Sequence, residues 1–186
     1  QKTEVKDQSV HQEMYRVEEV EKIFQGDATF PVIEVDRDEG EAGGGFPEEA
    51  HAGDQSAEKF LIVDDCYNAN PMSMKASLDV LKDGAGRRVA ILGDMGELGE
   101  NEVQLHAEVG EHAAQCGIDV CICTGPLSAN IAKMARKNPE LIVIEEPDRD
   151  SLLSHLSDYV QTGDTILVKA SHFMQFEKVV AALQEM

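Results

Sequence analysis

The octapeptide Asp64-Asp65-Cys66-Tyr67-Asn68-Ala69-Asn70-Pro71 gathers two acids, a phenol and two amides directly after the apolar run Phe60-Leu61-Ile62-Val63 and directly before a segment of helical period. Two chemistries fit it. Asn70 can cap a helix that begins at Pro71, a residue with no amide hydrogen to leave unsatisfied. Asp65, at a strand end, can accept from both hydroxyls of a ribose, while Tyr67 and Asn68 offer a flat face and an amide that suit an adenine ring. Capping accounts for Asn70 and Pro71; the other residues point to a nucleoside. Residue types alone leave both readings open.

Two further clusters have the same placement. In Gly93-Asp94-Met95-Gly96-Glu97-Leu98-Gly99 the glycines miss the G-x-G-x-x-G spacing, and G-x-x-x-x-G-K-[ST] occurs nowhere in the chain, so a triphosphate cannot be gripped in the familiar way. Asp94 and Glu97 could ligate magnesium, although a loop of Gly, Asp and Glu more often forms a solvated turn. His106 follows on a helical segment, where a lone His more often packs than catalyses. Lys169-Ala170-Ser171 places a cation and a hydroxyl before a helix, which suits a carboxylate or phosphate. The alternative is a Lys whose stem covers apolar surface while its amine stays in water. Arg87 and Arg88, at the opposite end of their strand, read as solvated. The four cysteines, Cys66, Cys116, Cys121 and Cys123, contain no C-x-x-C pair and read as reduced, inert core thiols rather than a metal site.

Five short apolar runs place these loops: 59–63, 87–92, 119–123, 140–144 and 164–169, alternating with helical segments that begin near Pro71, Asn101, Ser128, Asp148 and His172. Strands apolar on both faces and separated by helices predict an α/β fold, a Rossmann-like open, mostly parallel sheet with helices on both faces. Phe173, Phe176, Val179, Val180 and Leu183 form a core stripe on the last helix in this reading. In such sheets ligands bind beyond the carboxyl ends of the strands, where all three clusters fall.

The chain has 186 residues and a net charge of -20, which repels nucleic acid and anionic lipid, and no apolar run approaches the ~20 residues of a membrane span. A soluble, cytoplasmic, monomeric protein is expected. Gln at position 1 makes the chain look like a piece of something larger. Residues 1–58 carry 16 acids and 5 bases, residues 59–186 carry 20 and 11, so the boundary falls near 58. Residues 36–58 are rich in Gly and acids and read as a flexible insertion. Residues 14–20 and 30–35 favour extended backbone, with a possible first strand near 14–20.

Taken together, residues 63–78, 87–119 and 163–180 resemble the C-terminal domain of the Mur ligases, in the branch that adds D-alanyl-D-alanine to UDP-N-acetylmuramoyl-tripeptide. The resemblance covers about residues 59–186 and rests on three motifs in order. It implies a three-domain enzyme using ATP and Mg2+, both held mainly by a central domain absent here, and an isolated domain without activity. It places Asp65 near the ATP ribose and Tyr67, Asn68 and Asn70 near the nucleotide. It sets Gly93, Asp94, Met95, Glu97, His106, Lys169 and Ser171 at the substrate side, where the domain closes. No residue of this chain is implied as catalytic or as a metal ligand. Where Ala170 and Phe176 stand, the family usually has Gly and Met. Rival readings are another Mur ligase, a folate polyglutamate ligase, or a non-catalytic nucleotide-binding or receiver-like module using Asp64, Asp65 and Asp94. A last alternative takes the acidic N-terminal segment as a docking tail for a basic partner.

Overall fold

The computed structural model describes residues 32–36 and 59–186. Six strands form one sheet: β1 (Val32–Asp36), β2 (Lys59–Asp65), β3 (Arg88–Gly93), β4 (Val120–Thr124), β5 (Ile142–Glu146) and β6 (Thr165–Lys169). Their spatial order is β1-β2-β6-β3-β4-β5. All neighbours are parallel except β1, which runs antiparallel to β2 with Val32 opposite Val63 and Asp36 opposite Lys59. The sheet therefore draws in one strand from before residue 59. The strand expected near residues 14–20 and most of the acidic insertion lie outside the described residues.

Among the described residues five helices flank the sheet: α1 (Pro71–Leu81), α2 (Glu102–Gln115), α3 (Ala129–Ala135), α4 (Arg149–Tyr159) and α5 (Glu177–Gln184). Strand residues alternate between two cores, as period-2 geometry requires. Val63, Ala90, Leu92, Cys121, Cys123 and Leu167 pack under α1, α2 and α3. Ile62, Val89, Ile91, Ile122, Ile166 and Val168 pack under α4 and α5. Fully burying one such Ile or Leu stabilises by about 1.5 to 3 kcal/mol, so two apolar faces hold the sheet between helices. Cys121 and Cys123 are buried with their sulfurs 3.6 Å apart, and all four cysteines are free. No described helix is long and apolar enough to cross a membrane.

Two expectations need correction. The last helix does not begin near His172: a 3-10 turn (His172–Met174) leads to Gln175, whose φ of 54° is left-handed and breaks the helical phase before α5. Phe176, Val179, Val180 and Leu183 are buried, whereas Phe173 falls out of phase and is exposed. Nor are Arg87 and Arg88 merely solvated. Arg87 makes a two-pronged contact with the buried Asp164, at 2.9 and 2.8 Å, and Arg88 one with Asp119, at 2.8 and 3.1 Å. These pairs join β3 to β6 and to β4 at their amino ends.

Candidate functional site

Chain direction decides where a crevice can open. β2, β3 and β4 hand over to α1, α2 and α3 on one face, whereas β6 and β5 hand over to α5 and α4 on the other. β6 lies between β2 and β3, so the connections diverge there, and the three sequence clusters meet at those three strand ends.

The first loop combines both chemistries that its residues allow. The Asn70 side-chain oxygen accepts from the Ser73 amide at 2.9 Å, and the Ser73 hydroxyl accepts from the Asn70 amide at 3.1 Å, a reciprocal cap on α1. Capping thus occupies the Asn70 carbonyl, and only its amide nitrogen is left for a ligand. Asp65 is partly exposed, while Tyr67 and Asn68 stand in solvent. The Tyr67 ring lies 5.6 Å from that of His172, centre to centre, on the neighbouring loop.

Lys169 overturns both readings of its sequence position. Its amine neither meets water nor is left free for a ligand's anion, because the side chain is 1% exposed and donates to the carboxylate of Asp65, through Oδ2 at 2.6 Å, and to the Asn68 carbonyl at 2.8 Å. Asp65 and Lys169 are register partners on β2 and β6, each the last residue of its strand. The Ser77 hydroxyl of α1 lies 2.6 Å from Asp65 Oδ2 and 2.8 Å from the Ser73 carbonyl, and its one proton favours the nearer, charged carboxylate oxygen.

The second loop faces inward more than its composition suggests. Asp94 is buried and its Oδ1 accepts from both the amide and the hydroxyl of Ser128, at 2.7 Å each. This fastens the start of α3 and leaves Asp94 unfit as an exposed phosphoacceptor or magnesium ligand. His106 is fully buried; its Nε2 accepts from the Met95 amide at 2.9 Å and its Nδ1 faces the Glu102 carbonyl at 2.7 Å, which fixes a neutral ring protonated on Nδ1. Ser171 joins the loops: its hydroxyl accepts from the Gly96 amide at 2.8 Å and lies 3.4 Å from the Ala69 carbonyl, and its amide donates to the Asp94 carbonyl at 3.1 Å. Asp94, Met95, His106, Lys169 and Ser171, expected at the substrate side, tie the loops to one another from beneath. Glu97 alone of this group stands exposed, at a left-handed φ of 59°.

Gly93 explains how two uncommon residues fit. A Cβ there would lie 2.6 Å from the Ala170 methyl and 2.8 Å from the Phe176 ring, so the absent side chain makes room for both. Gly96 likewise gives space to Phe173, whose ring would sit 2.9 Å from a Cβ at that position. Phe173, His172 and Tyr67 are exposed along the rim of the site. Sequence reasoning missed Ser77 and Ser128, for which a hydroxyl on a helix gives little signal. It also misplaced Phe173, whose signal was the polar Gln175 interrupting the apolar period.

Cys66, in the first loop, is nearly buried; desolvation first, and then the Asp64 carboxylate, push its thiol up to about 12. At the far edge Glu146 accepts from Ser151, Tyr159 and His155. Burial alone would raise its carboxyl, but the three donors outweigh it and hold it below the usual value. Among the described residues no three His, Cys, Asp or Glu side chains cluster as a metal site would require.

Comparison with known proteins gives consistent matches. Residues 53–172 match the family model described as "Mur ligase, glutamate ligase domain". The UDP-N-acetylmuramoyl-tripeptide–D-alanyl-D-alanine ligase of Escherichia coli is 39% identical over 133 residues, covering 70% of this chain and 28% of the ligase. That of Bacillus subtilis is 37% identical over 127 residues, 67% of this chain and 28% of the ligase. Among solved structures, the MurF ligase of Thermotoga maritima in complex with ADP matches with a TM-score of 0.56 at 30% identity, over 68% of this chain and 28% of that one. MurF from Acinetobacter baumannii matches with a TM-score of 0.59 at 30% identity and the same coverage. The chain thus spans little more than a quarter of the length of these relatives.

Proposed function

The chain belongs to the Mur ligase family, and from that premise we propose that it serves as the C-terminal domain of a ligase joining D-alanyl-D-alanine to UDP-N-acetylmuramoyl-tripeptide. In this reading the complete enzyme works in the cytoplasm in peptidoglycan precursor synthesis. ATP phosphorylates the tripeptide carboxylate and leaves as ADP. The amine of the dipeptide attacks the acyl phosphate, a C–N bond forms, and phosphate departs with the proton lost from nitrogen.

The observation that carries the reading is the convergence of Asp65, Tyr67 and Asn68 at the divergence point of the sheet, held from below by Lys169 and Ser171. Asp65 Oδ1, which has no hydrogen-bond partner among the described residues, accepts from the ribose, and the loop of Tyr67 and Asn68 lies against the adenine. The exposed rim and Glu97 face the cleft where the acceptor amine is brought within reach. Such positioning is worth several kcal/mol of barrier, and closure excludes water that would hydrolyse the acyl phosphate.

The phosphates and Mg2+ are held elsewhere in the enzyme. These residues do not fit a metal, since Asp94 is occupied by Ser128 and Glu97 has no acidic partner in a cluster among the described residues. The chain alone therefore neither hydrolyses ATP nor ligates.

Adenosine titration followed by backbone amide resonances tests the placement. Shifts are expected at Tyr67, Asn68 and Asn70, and at Gly96 and Glu97 across the loop. Shifts confined to other parts of the sheet would remove the nucleoside from these strand ends.

A further inference from the structure

We infer that Lys169, together with Ser77, is a positioning residue that sets nucleotide recognition by orienting the Asp65 carboxylate and the adenine-side loop at once, without touching the nucleotide. This rests on the reading of Asp65 as the ribose acceptor.

Three observations carry it. Lys169 is among the largest fully buried side chains, and a buried ammonium is costly unless paired and hydrogen-bonded. Its amine does two things from one position: it binds Asp65 Oδ2 at 2.6 Å and the Asn68 carbonyl at 2.8 Å. The residue proposed to hold ribose and the backbone presenting Tyr67 and Asn68 are thus tied to the same nitrogen. The third observation concerns which oxygen is engaged. Lys169 and Ser77 both contact Oδ2, and Oδ1 has no hydrogen-bond partner among the described residues. Asp65 keeps 15% of its side chain exposed, against 1% for Lys169, so the carboxylate sits at the boundary between buried clamp and open crevice.

A carboxylate without the clamp could rotate about its side-chain bonds and would present either oxygen. Held by one charged and one neutral donor on Oδ2, it offers Oδ1 in a fixed direction, as preorganised sites require. The sequence contains the signal: Asp65 and Lys169 end two apolar strands with the same alternation, so a parallel pairing in register puts opposite charges side by side.

The test compares adenosine with 2′,3′-dideoxyadenosine as ligands of the 186-residue chain, since the second lacks the hydroxyls that Asp65 would hold. The native chain is expected to bind adenosine about tenfold more tightly, the lower end of what a hydrogen bond to a charged acceptor contributes. Asp65→Asn should reduce the ratio to near one. Lys169→Met should reduce it at least about fivefold with the loss falling on adenosine, and Ser77→Ala should reduce it about twofold to threefold. A folded Lys169→Met that keeps the native ratio overturns the inference while leaving Asp65 as the ribose acceptor. Should that variant not fold, Ser77→Ala decides: an unchanged ratio there overturns the clamp. A native ratio near one, or one that Asp65→Asn does not alter, instead sinks the ribose reading itself.

Discussion

The strands at the centre of the sheet carry paired charges at both ends, but the two ends use them differently. At the amino end Arg87 grips Asp164 with two nitrogens and also donates to the Tyr159 carbonyl at 2.7 Å, while the Gln161 amide donates to the same carboxylate at 2.8 Å. Arg88 meets Asp119 through its side chain and its amide. Both oxygens of each carboxylate are taken. At the carboxyl end the pair of Lys169 and Asp65 is at least as buried, yet both its donors fall on one oxygen and the other stays open. With both oxygens engaged, the amino-end carboxylates act as staples, whereas the carboxyl-end pair keeps one oxygen at the edge of solvent with no partner among the described residues.

The largest effect that would sharpen this contrast belongs to the amino end. Arg87→Ala strands the carboxylate of Asp164, whose side chain is 1% exposed, and should cost about 3 kcal/mol, the low end for breaking a buried pair. Arg88→Ala leaves Asp119 38% exposed to water and should cost less than about 1 kcal/mol. Chemical denaturation of both variants measures the difference, and adenosine affinity should be the same in each as in the native chain. Equal losses would mean that burial of the carboxylate does not decide the cost.

A smaller effect is expected at the carboxyl end of β4. The Thr124 hydroxyl is buried with no hydrogen-bond partner among the described residues, and Thr124 pairs with Gly93 in register. Thr124→Val keeps the shape and removes an unpaired polar group, so stability should rise by about 1 kcal/mol. A fall in melting temperature would show that the hydroxyl is satisfied in solution.

The last effect is a pH dependence confined to the alkaline range. The Cys66 thiol titrates near 9.0 in an unfolded chain and about 12 here, raised first by burial and then by Asp64. A raised value means that the contribution is present in full below pH 9.0 and is lost as pH climbs toward about 12. Cys66→Ala should flatten the stability profile across that alkaline window and leave its shape below it unchanged. An identical alkaline limb in native and variant chains would show that the thiol is not shielded.

What was legible in the sequence follows the same division. Alternating apolar runs and helical periods locate β2 to β6 and the starts of α1 to α4, because those features are local. The start of α5 was misread because one left-handed residue, Gln175, interrupts an apolar period that continues past it. At the site, position along the chain identified the loops, since strand ends are where ligands bind, but it did not reveal which side chains turn inward. Lys169 and Asp94 look available in sequence and are occupied in the fold, because their partners Asp65 and Ser128 are supplied by pairing and helix packing, whereas His106 packs as a lone helical His more often does, held by the Met95 amide. A charged residue adjoining an apolar strand can face either way, and only its cross-strand neighbour decides.

If this chain grips a nucleoside and not a triphosphate, titration with adenosine and with ATP, each with and without magnesium, will show it. With no phosphate loop and a net charge of -20, both ligands should bind alike, with dissociation constants of about 1 mM and no dependence on magnesium. ATP binding at about 1 μM that requires magnesium and is not matched by adenosine would instead show a phosphate site within the chain itself.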